Sequence, residues 1–415
     1  MKILVDENIP LARDLFGSLG DVTMVGGREI GPDFPGLAGF DALAIRSVTK
    51  VTPALVERAG NARFIGTATI GTDHIDLAYI DQANARRADP IAVVSAPGSN
   101  ADSVADYVWY ALLRLWAGSD RPICERTLGI VGHGNCGSRV AKRAAGFGVN
   151  VRRYDPPLAE RSADFVSDAF EETIQADAVT LHVPLTREGE CAYPTHHMIG
   201  ANELRQMNGS VFLVNSSRGA VVDSDALIDA VTRGAIAGTA LDVYESEPEP
   251  PEDLIRLPAI ATPHIAGYAV EAKRRGAVVI YEAMCRAFGR KPRDTTELLM
   301  QGFSPPAEQT VEFASRGGAE IDADQAVSCF LAATYDIDAT SAELKATLGR
   351  DSRGELFDRM RKNYEHDYGR HELAAYRVGF HSSVPSDVRE RVRRRLAGFG
   401  TQTVEQDAHY VLAML

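Results

Sequence analysis

Residues 128–137 read LGIVGHGNCG, an apolar run that leads into three glycines at the spacing GxGxxG. In such a turn Gly132 permits a tight bend, Gly134 lets the backbone approach a pyrophosphate, and Gly137 allows the following helix to pack closely on the strand. The next strand-like segment ends at Asp155, where a carboxylate can accept hydrogen bonds from an adenosine ribose. Alone, GxGxxG also fits any glycine-rich loop, but this order of features predicts a dinucleotide site that prefers NAD to NADP.

Segments with strand character alternate with helical ones on both sides of this turn. Upstream we predict strands at Lys2–Val5, Val22–Val25, Ala42–Ile45 and Phe64–Gly66. Downstream we predict them at Asn150–Tyr154, Ala178–Leu181, Val211–Asn215, Gly238–Asp242 and Ile260–Thr262. Several of these runs are almost wholly apolar, which is typical of parallel strands buried on both faces. The alternation therefore predicts parallel sheets joined by crossover helices.

The predicted fold is α/β, with a Rossmann-type doubly wound parallel sheet inserted in a second, flavodoxin-like domain. Residues 1–98 and 266–290 would form a substrate-binding (lid) domain, and residues 99–265 the NAD-binding domain. A turn cluster at Ala96–Asn100 supports the first boundary. The regular alternation of strand-like and helical segments ends beyond Lys291, where Pro305-Pro306 and Gly317-Gly318 interrupt shorter segments. We predict a small α+β C-terminal domain over residues 291–415.

The composition excludes several classes of protein. Lysine and arginine total 44 against 57 aspartates and glutamates, a net charge of −13, so nucleic acid and anionic membrane surfaces are not expected partners. No stretch reaches the roughly 18 apolar residues that span a bilayer. Five scattered cysteines fit a reducing cytoplasm and indicate no disulfide framework. We expect no metal site, because the adjacent His196 and His197 lack supporting ligand spacing.

Three later segments each place a functional side chain just beyond an apolar strand, where open α/β sheets bind ligands. Arg218 follows Val211–Asn215, Glu247 lies beyond Leu241, and His264 follows Ile260–Thr262. A guanidinium can hold a substrate carboxylate, an imidazole can take a hydroxyl proton, and a carboxylate can orient the imidazole. Any one of these alone is more often a surface ion pair. Together they predict oxidation of a 2-hydroxy acid by a nicotinamide cofactor.

The motifs NSSRG (215–219), LDVYESEP (241–248) and TPHIAG (262–267) resemble the D-isomer-specific 2-hydroxyacid dehydrogenase family. The resemblance implies that Arg218, Glu247 and His264 are catalytic, and that Ser47, Thr69 and Tyr268 contact a small phosphorylated hydroxy acid. It also implies a homodimer formed through the C-terminal domain. Beside Gly132, Gly134 and Gly137, it implies an NAD site lined by Asn135, Cys136, Asp155, Val183, Ser216, Ser217, Asp242 and Gly267. At Val183 only the backbone could serve the cofactor.

Two alternatives remain open at this level. The same chemistry could act on another acid, such as 3-phosphoglycerate or hydroxypyruvate, or the chain could be a non-catalytic NAD-binding sensor dimer. A sensor would not need Arg218, Glu247 and His264 together, and their joint presence favours an enzyme. A doubly charged phosphate needs cationic partners, so we add the hypothesis that Arg46 or Lys50 holds it.

Overall fold

The chain divides into two compact units in this computed structural model. The structure describes residues 1–300, 310–314, 322–334, 336–368, 370–380, 384–403 and 411–414, so parts of the predicted C-terminal domain lie outside it. Unit 1 comprises residues 1–100 and 269–303, and unit 2 comprises residues 101–268 and 304–415. The predicted boundaries at 98–99 and 265–266 lie close to this division. Residues 304–415 group with the nucleotide-binding sheet, and a dimerisation domain of their own stays a prediction.

Unit 1 is built on a parallel sheet whose five strands lie within the fully described residues 1–100. The order is β2-β1-β3-β4-β5, the flavodoxin-like order. Its strands are β1 (Lys2–Asp6), β2 (Asp21–Val25), β3 (Ala42–Ile45), β4 (Phe64–Thr67) and β5 (Ala92–Val94). Its helices are α1 (Ala12–Phe16), α2 (Pro53–Arg58), α3 (Leu77–Asn84), α11 (Val270–Ala287) and α12 (Thr296–Met300). Helix α11 returns to pack on β4 after the chain leaves unit 2.

Unit 2 contains the predicted doubly wound sheet, in the order β11-β10-β9-β8-β6-β7, with every described pairing parallel. Its strands are β6 (Thr127–Val131), β7 (Asn150–Tyr154), β8 (Ala178–Leu181), β9 (Phe212–Asn215), β10 (Gly238–Leu241) and β11 (Ile260–Ala261). Its helices before residue 268 are α4 (Ala101–Trp116), α5 (Asn135–Phe147), α6 (Pro156–Arg161), α7 (Phe170–Ile174), α8 (Ala201–Gln206), α9 (Ser224–Thr232) and α10 (Glu252–Arg256). From β6 the chain goes first to β7 and then back to β8, so the order reverses beside β6.

The C-terminal segment, residues 304–415, combines helices and strands as the sequence predicts. Its helices are α13 (Ala323–Thr334), α14 (Ile337–Lys345), α15 (Arg353–Tyr368) and α16 (Ser386–Ala397). Its described strands are β12 (Thr310–Ala314), β13 (Arg377–Phe380), β14 (Gln402–Thr403) and β15 (Val411–Met414), all paired parallel. The sequence alone did not indicate the direction of this pairing.

Helix α4 joins the C-terminal segment to the nucleotide-binding sheet. Every residue of α4 is buried except Asp102 and Arg114, because the helix lies inside one apolar core with α5, α13 and α16. Asp106 of α4 is buried and pairs with the buried Arg143 of α5, the closest nitrogen lying 2.7 Å from a carboxylate oxygen. Burial raises the pKa of Asp106 to about 6, although Arg143 opposes that rise.

Candidate active site

The predicted site residues of unit 2 follow a single row of paired strand residues. Tyr154 pairs with Val131, Val131 with Leu181, Leu181 with Asn215, Asn215 with Leu241 and Leu241 with Ala261. The strands are parallel, so all of them end at the same edge of the sheet. The residues that follow them are Asp155, the glycine turn, Val183, the Arg218 loop, Asp242 and the His264 loop. The predicted site residues of unit 2, which are spread over more than a hundred sequence positions, therefore lie at one edge of the sheet.

The glycine turn leaves room on its outer side and none on its inner side. A Cβ added at Gly137 would lie 2.0 Å from the carbonyl oxygen of Gly132, and Gly132 itself has a φ of 89°. A Cβ added at Gly134 would meet nothing of the chain within 4 Å. Gly134 is also the N-cap of α5, whose first turn directs backbone N–H groups outward from this turn. The arrangement suits the approach of a pyrophosphate at Gly134.

Two of the remaining predicted cofactor residues, Asp155 and Val183, lie beside this turn. One oxygen of Asp155 accepts a hydrogen bond from the backbone N–H of His133 at 2.7 Å, which fixes the carboxylate beside the glycines. The side chain of Val183 lies within 2.9 Å of where a Cβ on Gly132 would be. Burial raises the pKa of Cys136 to about 11, so its thiol stays protonated and is not a nucleophile at neutral pH. Among the described residues, the hydroxyl oxygen of Ser216 is buried without a hydrogen-bond partner.

Asn215 and Gly219 shape the loop that carries Arg218. The Asn215 side chain donates to the carbonyl of Arg218 at 2.9 Å and accepts from both the N–H and the hydroxyl of Ser217. A Cβ on Gly219 would lie 1.9 Å from the carbonyl carbon of Tyr244, so only glycine lets this loop pack against the segment leading to Glu247. The sequence analysis missed both roles. The available signal was a polar residue at the end of a strand, Asn215, followed four residues later by a glycine.

Glu247 and His264 form a hydrogen-bonded pair. Nδ1 of His264 lies 2.8 Å from Oε2 of Glu247, and Oε1 of Glu247 accepts the backbone N–H of Tyr244 at 3.0 Å. His264 has a φ of 58°, a left-handed conformation that non-glycine residues rarely adopt. Burial alone would raise the pKa of Glu247, but His264, its hydrogen bond and Arg361 lower that pKa below its ordinary value. Glu247 is thus held ionised at the Nδ1 edge of the imidazole ring.

Asp242 fixes the His264 loop by accepting hydrogen bonds from it. Its oxygens accept the Thr262 hydroxyl at 2.7 Å and the backbone N–H groups of Ile265 and Ala266 at 2.7 and 2.9 Å. The Thr262 hydroxyl also lies 2.8 Å from the Tyr107 hydroxyl. Burial raises the pKa of Asp242 to about 6, with His264 and these hydrogen bonds opposing the rise. These bonds explain how the loop keeps its left-handed residue; contact between Asp242 and the cofactor stays a prediction.

The C-terminal segment also reaches this loop, which the sequence analysis missed. Buried Arg370 donates to the carbonyls of Ile265 and Ala266 at 3.4 and 3.1 Å and to that of Ser103 at 2.7 Å. Tyr268, which follows Gly267 in the loop, meets Tyr364 of α15 edge to face with ring centroids 6.4 Å apart. No local pattern links Arg370 to a loop a hundred residues earlier, so no sequence signal could have identified it.

Unit 1 carries the other predicted substrate residues on neighbouring strands. Ile45 of β3 pairs with Thr67 of β4, and Ser47 and Thr69 each lie two residues beyond that pair. The Thr69 hydroxyl is 2.6 Å from the Thr67 hydroxyl, which in turn lies 3.1 Å from Nε2 of His74. Arg46 and Lys50 are close in sequence to Ser47, half-buried and exposed respectively. The carboxyl edge of this sheet therefore presents hydroxyl groups and cationic groups together.

The two adjacent histidines meet a carboxylate despite the prediction of no metal site. His196, His197 and Glu245 each offer a ligand atom, and these atoms lie within 4.8 Å of one another. Nε2 of His197 lies 2.9 Å from Oε1 of Glu245, and the two imidazole rings stack with centroids 4.0 Å apart. A hydrogen bond and a ring contact account for this cluster, and the absence of a metal there stays a prediction.

Comparison with known proteins defines the class. A family model described as "D-isomer specific 2-hydroxyacid dehydrogenase, NAD binding domain" matches residues 114–266. A crystal structure of D-lactate dehydrogenase from Aquifex aeolicus, complexed with NAD and lactic acid, is 26% identical with a TM-score of 0.55. The match covers 73% of this chain and 98% of that one. The chain has the fold of the D-2-hydroxyacid dehydrogenases and is an NAD-dependent dehydrogenase of a small hydroxy acid.

Relatives that match nearly the whole chain narrow this class. Erythronate-4-phosphate dehydrogenase from Salinibacter ruber is 41% identical over 406 residues, which cover 95% of this chain and 98% of that protein. The protein of the same name from Escherichia coli O1:K1 is 39% identical over 366 residues, covering 88% and 91% respectively. This chain belongs to the erythronate-4-phosphate dehydrogenase family. Within the described residues, the structure contains no helix long and apolar enough to cross a membrane.

Proposed function

We propose that Arg218, Glu247 and His264 carry out the NAD-dependent oxidation of 4-phospho-D-erythronate to (R)-3-hydroxy-2-oxo-4-phosphooxybutanoate, a step of pyridoxal 5'-phosphate (vitamin B6) biosynthesis. The observation that carries these roles is the Glu247–His264 pair, in which Nδ1 and Oε2 are 2.8 Å apart at the carboxyl edge of a dinucleotide-binding sheet. An imidazole held in this way by a carboxylate is suited to accept a hydroxyl proton.

Each of the three residues has a role that follows from its charge. NAD, when bound, supplies the nicotinamide carbon that accepts the hydride from C2 of the acid. Because Nδ1 of His264 is bonded to Glu247, Nε2 takes the proton of the 2-hydroxyl group. Glu247 then stabilises the imidazolium cation. Arg218 holds the substrate carboxylate and draws charge from the reacting carbon.

The residues of the glycine turn fit NAD. Three features support this proposal: Gly134 keeps the outer side of the turn clear, the N-terminus of α5 favours the negative pyrophosphate, and the Asp155 carboxylate beside the glycines can accept hydrogen bonds from ribose hydroxyls. The buried Ser216 hydroxyl, which has no described partner, is available for a group of the cofactor. Cys136, Asn135, Val183, Ser217, Asp242 and Gly267 complete the proposed lining.

Ser47, Thr69 and Tyr268 are the proposed contacts for the hydroxyl and carboxylate oxygens of the acid, and Arg46 or Lys50 the proposed partner of its phosphate. Hydroxyl groups on adjacent strand ends support the first part, since they can both donate to and accept from a polyhydroxylated acid. Cations beside them support the second, because a phosphate dianion gains most from charge-assisted hydrogen bonds.

The test is NADH formation with 4-phosphoerythronate beside unphosphorylated erythronate, 3-phosphoglycerate and hydroxypyruvate, the last assayed in the reductive direction. We expect 4-phosphoerythronate to have the highest kcat/KM, and preference for another acid would overturn the substrate assignment. His264→Ala should lower kcat by about 10³-fold while NAD binding is retained. A chain that gives no turnover on any of these acids, yet binds NAD, would instead be a sensor.

We also propose a cytoplasmic homodimer formed through the C-terminal segment. The matched D-lactate dehydrogenase is covered almost completely by 73% of this chain, and the remainder is close in length to residues 304–415. Such an added segment is available for assembly. Light scattering on the purified chain should give twice its 44.9 kDa mass, and a monomer at micromolar concentration would contradict the assignment.

A further inference from the structure

One face of α15 lies along the segment that carries Glu247. A Cβ on Gly354 would lie 2.6 Å from the Glu249 side chain, and Phe357 meets the ring of Tyr244 edge to face at 5.9 Å. One and two turns further on, Arg361 and Tyr364 continue the same face. The spacing of three, four and three residues directs all four positions to one side of the helix, toward residues 244–268.

Arg361 contacts two residues of the proposed active site. Nη1 of Arg361 lies 3.9 Å from Oε2 of Glu247, the oxygen that is also bonded to His264. Its guanidinium is hydrogen-bonded to the Tyr268 hydroxyl, and only 22% of its side chain is exposed. Burial disfavours the charge of Arg361, but Tyr268 and Glu247 raise its pKa, so it remains a cation.

The charged and titratable groups around Glu247 come from several elements. His264 and Tyr268 lie in the following loop, with Asp242 behind His264, and Tyr244 precedes Glu247. Helix α15 contributes Arg361 together with Asp358, whose carboxylate partly offsets the guanidinium. Arg361 is the permanent cation of this set, and it lowers the pKa of Glu247.

We propose that Arg361 is a positioning residue of the catalytic pair, supplied by the C-terminal segment: it fixes the Glu247 carboxylate and the Tyr268 hydroxyl and limits the negative charge that His264 experiences. This role rests on the proposed function of Glu247 and His264. A cation beside Glu247 weakens the attraction of the pair for an extra proton, so removing that cation should favour protonation of the pair.

The experiment compares Arg361→Met with Arg361→Lys and with Arg359→Met. Arg359 lies on the exposed side of the same helix, so its replacement removes one positive charge without touching the pair. In Arg361→Met we expect the acidic limb of the kcat–pH profile to move up by about 0.5 pH unit and kcat at pH 7 to fall about tenfold. In Arg361→Lys the acidic limb should return most of the way to its wild-type pH, and in Arg359→Met it should not move.

The possible outcomes are distinct. An unchanged acidic limb in folded Arg361→Met overturns the proposal, as does a rise in KM confined to the phosphorylated acid, which would make Arg361 a phosphate ligand. If the wild-type chain forms no NADH from 4-phosphoerythronate, the proposed function fails by itself. The inference is then decided by NMR of the His264 imidazole in labelled protein with NAD bound: titration at higher pH in Arg361→Met than in wild type supports it, and coincident curves overturn it.

Discussion

Two buried carboxylates on either side of the His264 loop have opposite electrostatic settings. Asp242 accepts hydrogen bonds from three neutral donors, and burial raises its pKa to about 6 although His264 and these bonds oppose the rise. Glu247 is also largely buried, yet His264 and Arg361 beside it lower its pKa. Asp242 is 1% exposed and Glu247 keeps 20% of its side chain exposed with Arg361 as a second cationic neighbour, so exposure and neighbouring charge together separate the two carboxylates.

Removing the charge of Glu247 while keeping its shape tests its part in the reaction. In Glu247→Gln we expect kcat to fall by about two orders of magnitude, because the amide no longer stabilises the imidazolium. NAD affinity measured by fluorescence titration should stay within about twofold. Since the pKa of Glu247 is lowered in the folded protein, its stabilising ionisation is present above the ordinary value and lost only at more acidic pH. A Glu247→Gln enzyme with wild-type kcat would remove Glu247 from the mechanism.

The raised pKa of Asp242 predicts a pH dependence of stability with the opposite sign. A carboxyl group whose folded pKa exceeds its unfolded pKa contributes most stability below the unfolded value and loses it as pH rises through the folded one. Relative to Asp242→Asn, the free energy of unfolding of the wild type should therefore decline by about 2–3 kcal/mol between pH 4 and pH 7. Urea unfolding of both proteins across this range measures the difference, and a constant difference would contradict the prediction.

The proposed role of Arg46 and Lys50 in binding the substrate phosphate can be tested by substitution. Replacing Arg46 and Lys50 together with Met should raise KM for the phosphorylated acid at least tenfold more than KM for its unphosphorylated counterpart, because only the former loses an ionic partner. Arg58→Met, in the same unit, is the matched control, since Arg58 is 66% exposed and 3.9 Å from Asp33. Equal changes in the two KM values would assign the phosphate to other residues.

Among the secondary-structure elements, local sequence pattern was sufficient to locate most of the predicted strands. The predicted bounds of Ala42–Ile45, Asn150–Tyr154 and Ala178–Leu181 coincide with β3, β7 and β8. Apolar runs of that length between turn residues have few alternatives once the sheet is parallel. The row of strand ends then places Arg218, Glu247 and His264 at one edge.

What the sequence could not give is the part of the site that comes from tertiary packing. Arg361 lies on a helix more than a hundred residues after Glu247, and nothing in its own neighbourhood distinguishes it from Arg359. The closeness of the Arg218 loop to Tyr244 depends on a missing Cβ at Gly219, which is meaningful only when the opposing backbone is known. Long-range contacts of this kind leave no periodic signal.

The two glycines of the phosphate turn should fail in different ways when replaced. Gly134→Ala adds a methyl group where the chain has nothing within 4 Å, so we expect normal folding with NAD bound about tenfold more weakly. Gly137→Ala sets the same group 2.0 Å from the Gly132 carbonyl, and we expect a loss of roughly 1–3 kcal/mol of stability. Calorimetric titration with NAD and thermal unfolding of both variants separate the effects. Equal losses of stability would show that Gly134 serves the turn and not the cofactor.

At the scale of the whole molecule, the C-terminal segment is part of the core that supports the NAD site. Phe330 of α13 and Leu396 of α16 are fully buried in one cluster with Leu128 and Ile130 of β6, the strand that leads into the glycine turn. The chain's two tryptophans, Trp109 and Trp116, both lie on α4 inside this cluster. Their fluorescence therefore reports on unit 2 and on the attachment of its C-terminal segment.

Because both tryptophans lie in this cluster, the contribution of the C-terminal segment to the free energy of unfolding of unit 2 can be measured in the full-length chain. Phe330→Ala should lower the stability seen by tryptophan fluorescence by about 3–5 kcal/mol, because the buried ring leaves a cavity in the core shared with α4. Phe16→Ala, an equally buried ring in a unit 1 core without tryptophan, is the matched control and should move the fluorescence transition less. NAD should raise the midpoint of the unfolding transition in the wild type and in both variants, since it binds folded unit 2. A fluorescence transition indifferent to Phe330→Ala would mean that residues 304–415 unfold apart from the nucleotide-binding sheet.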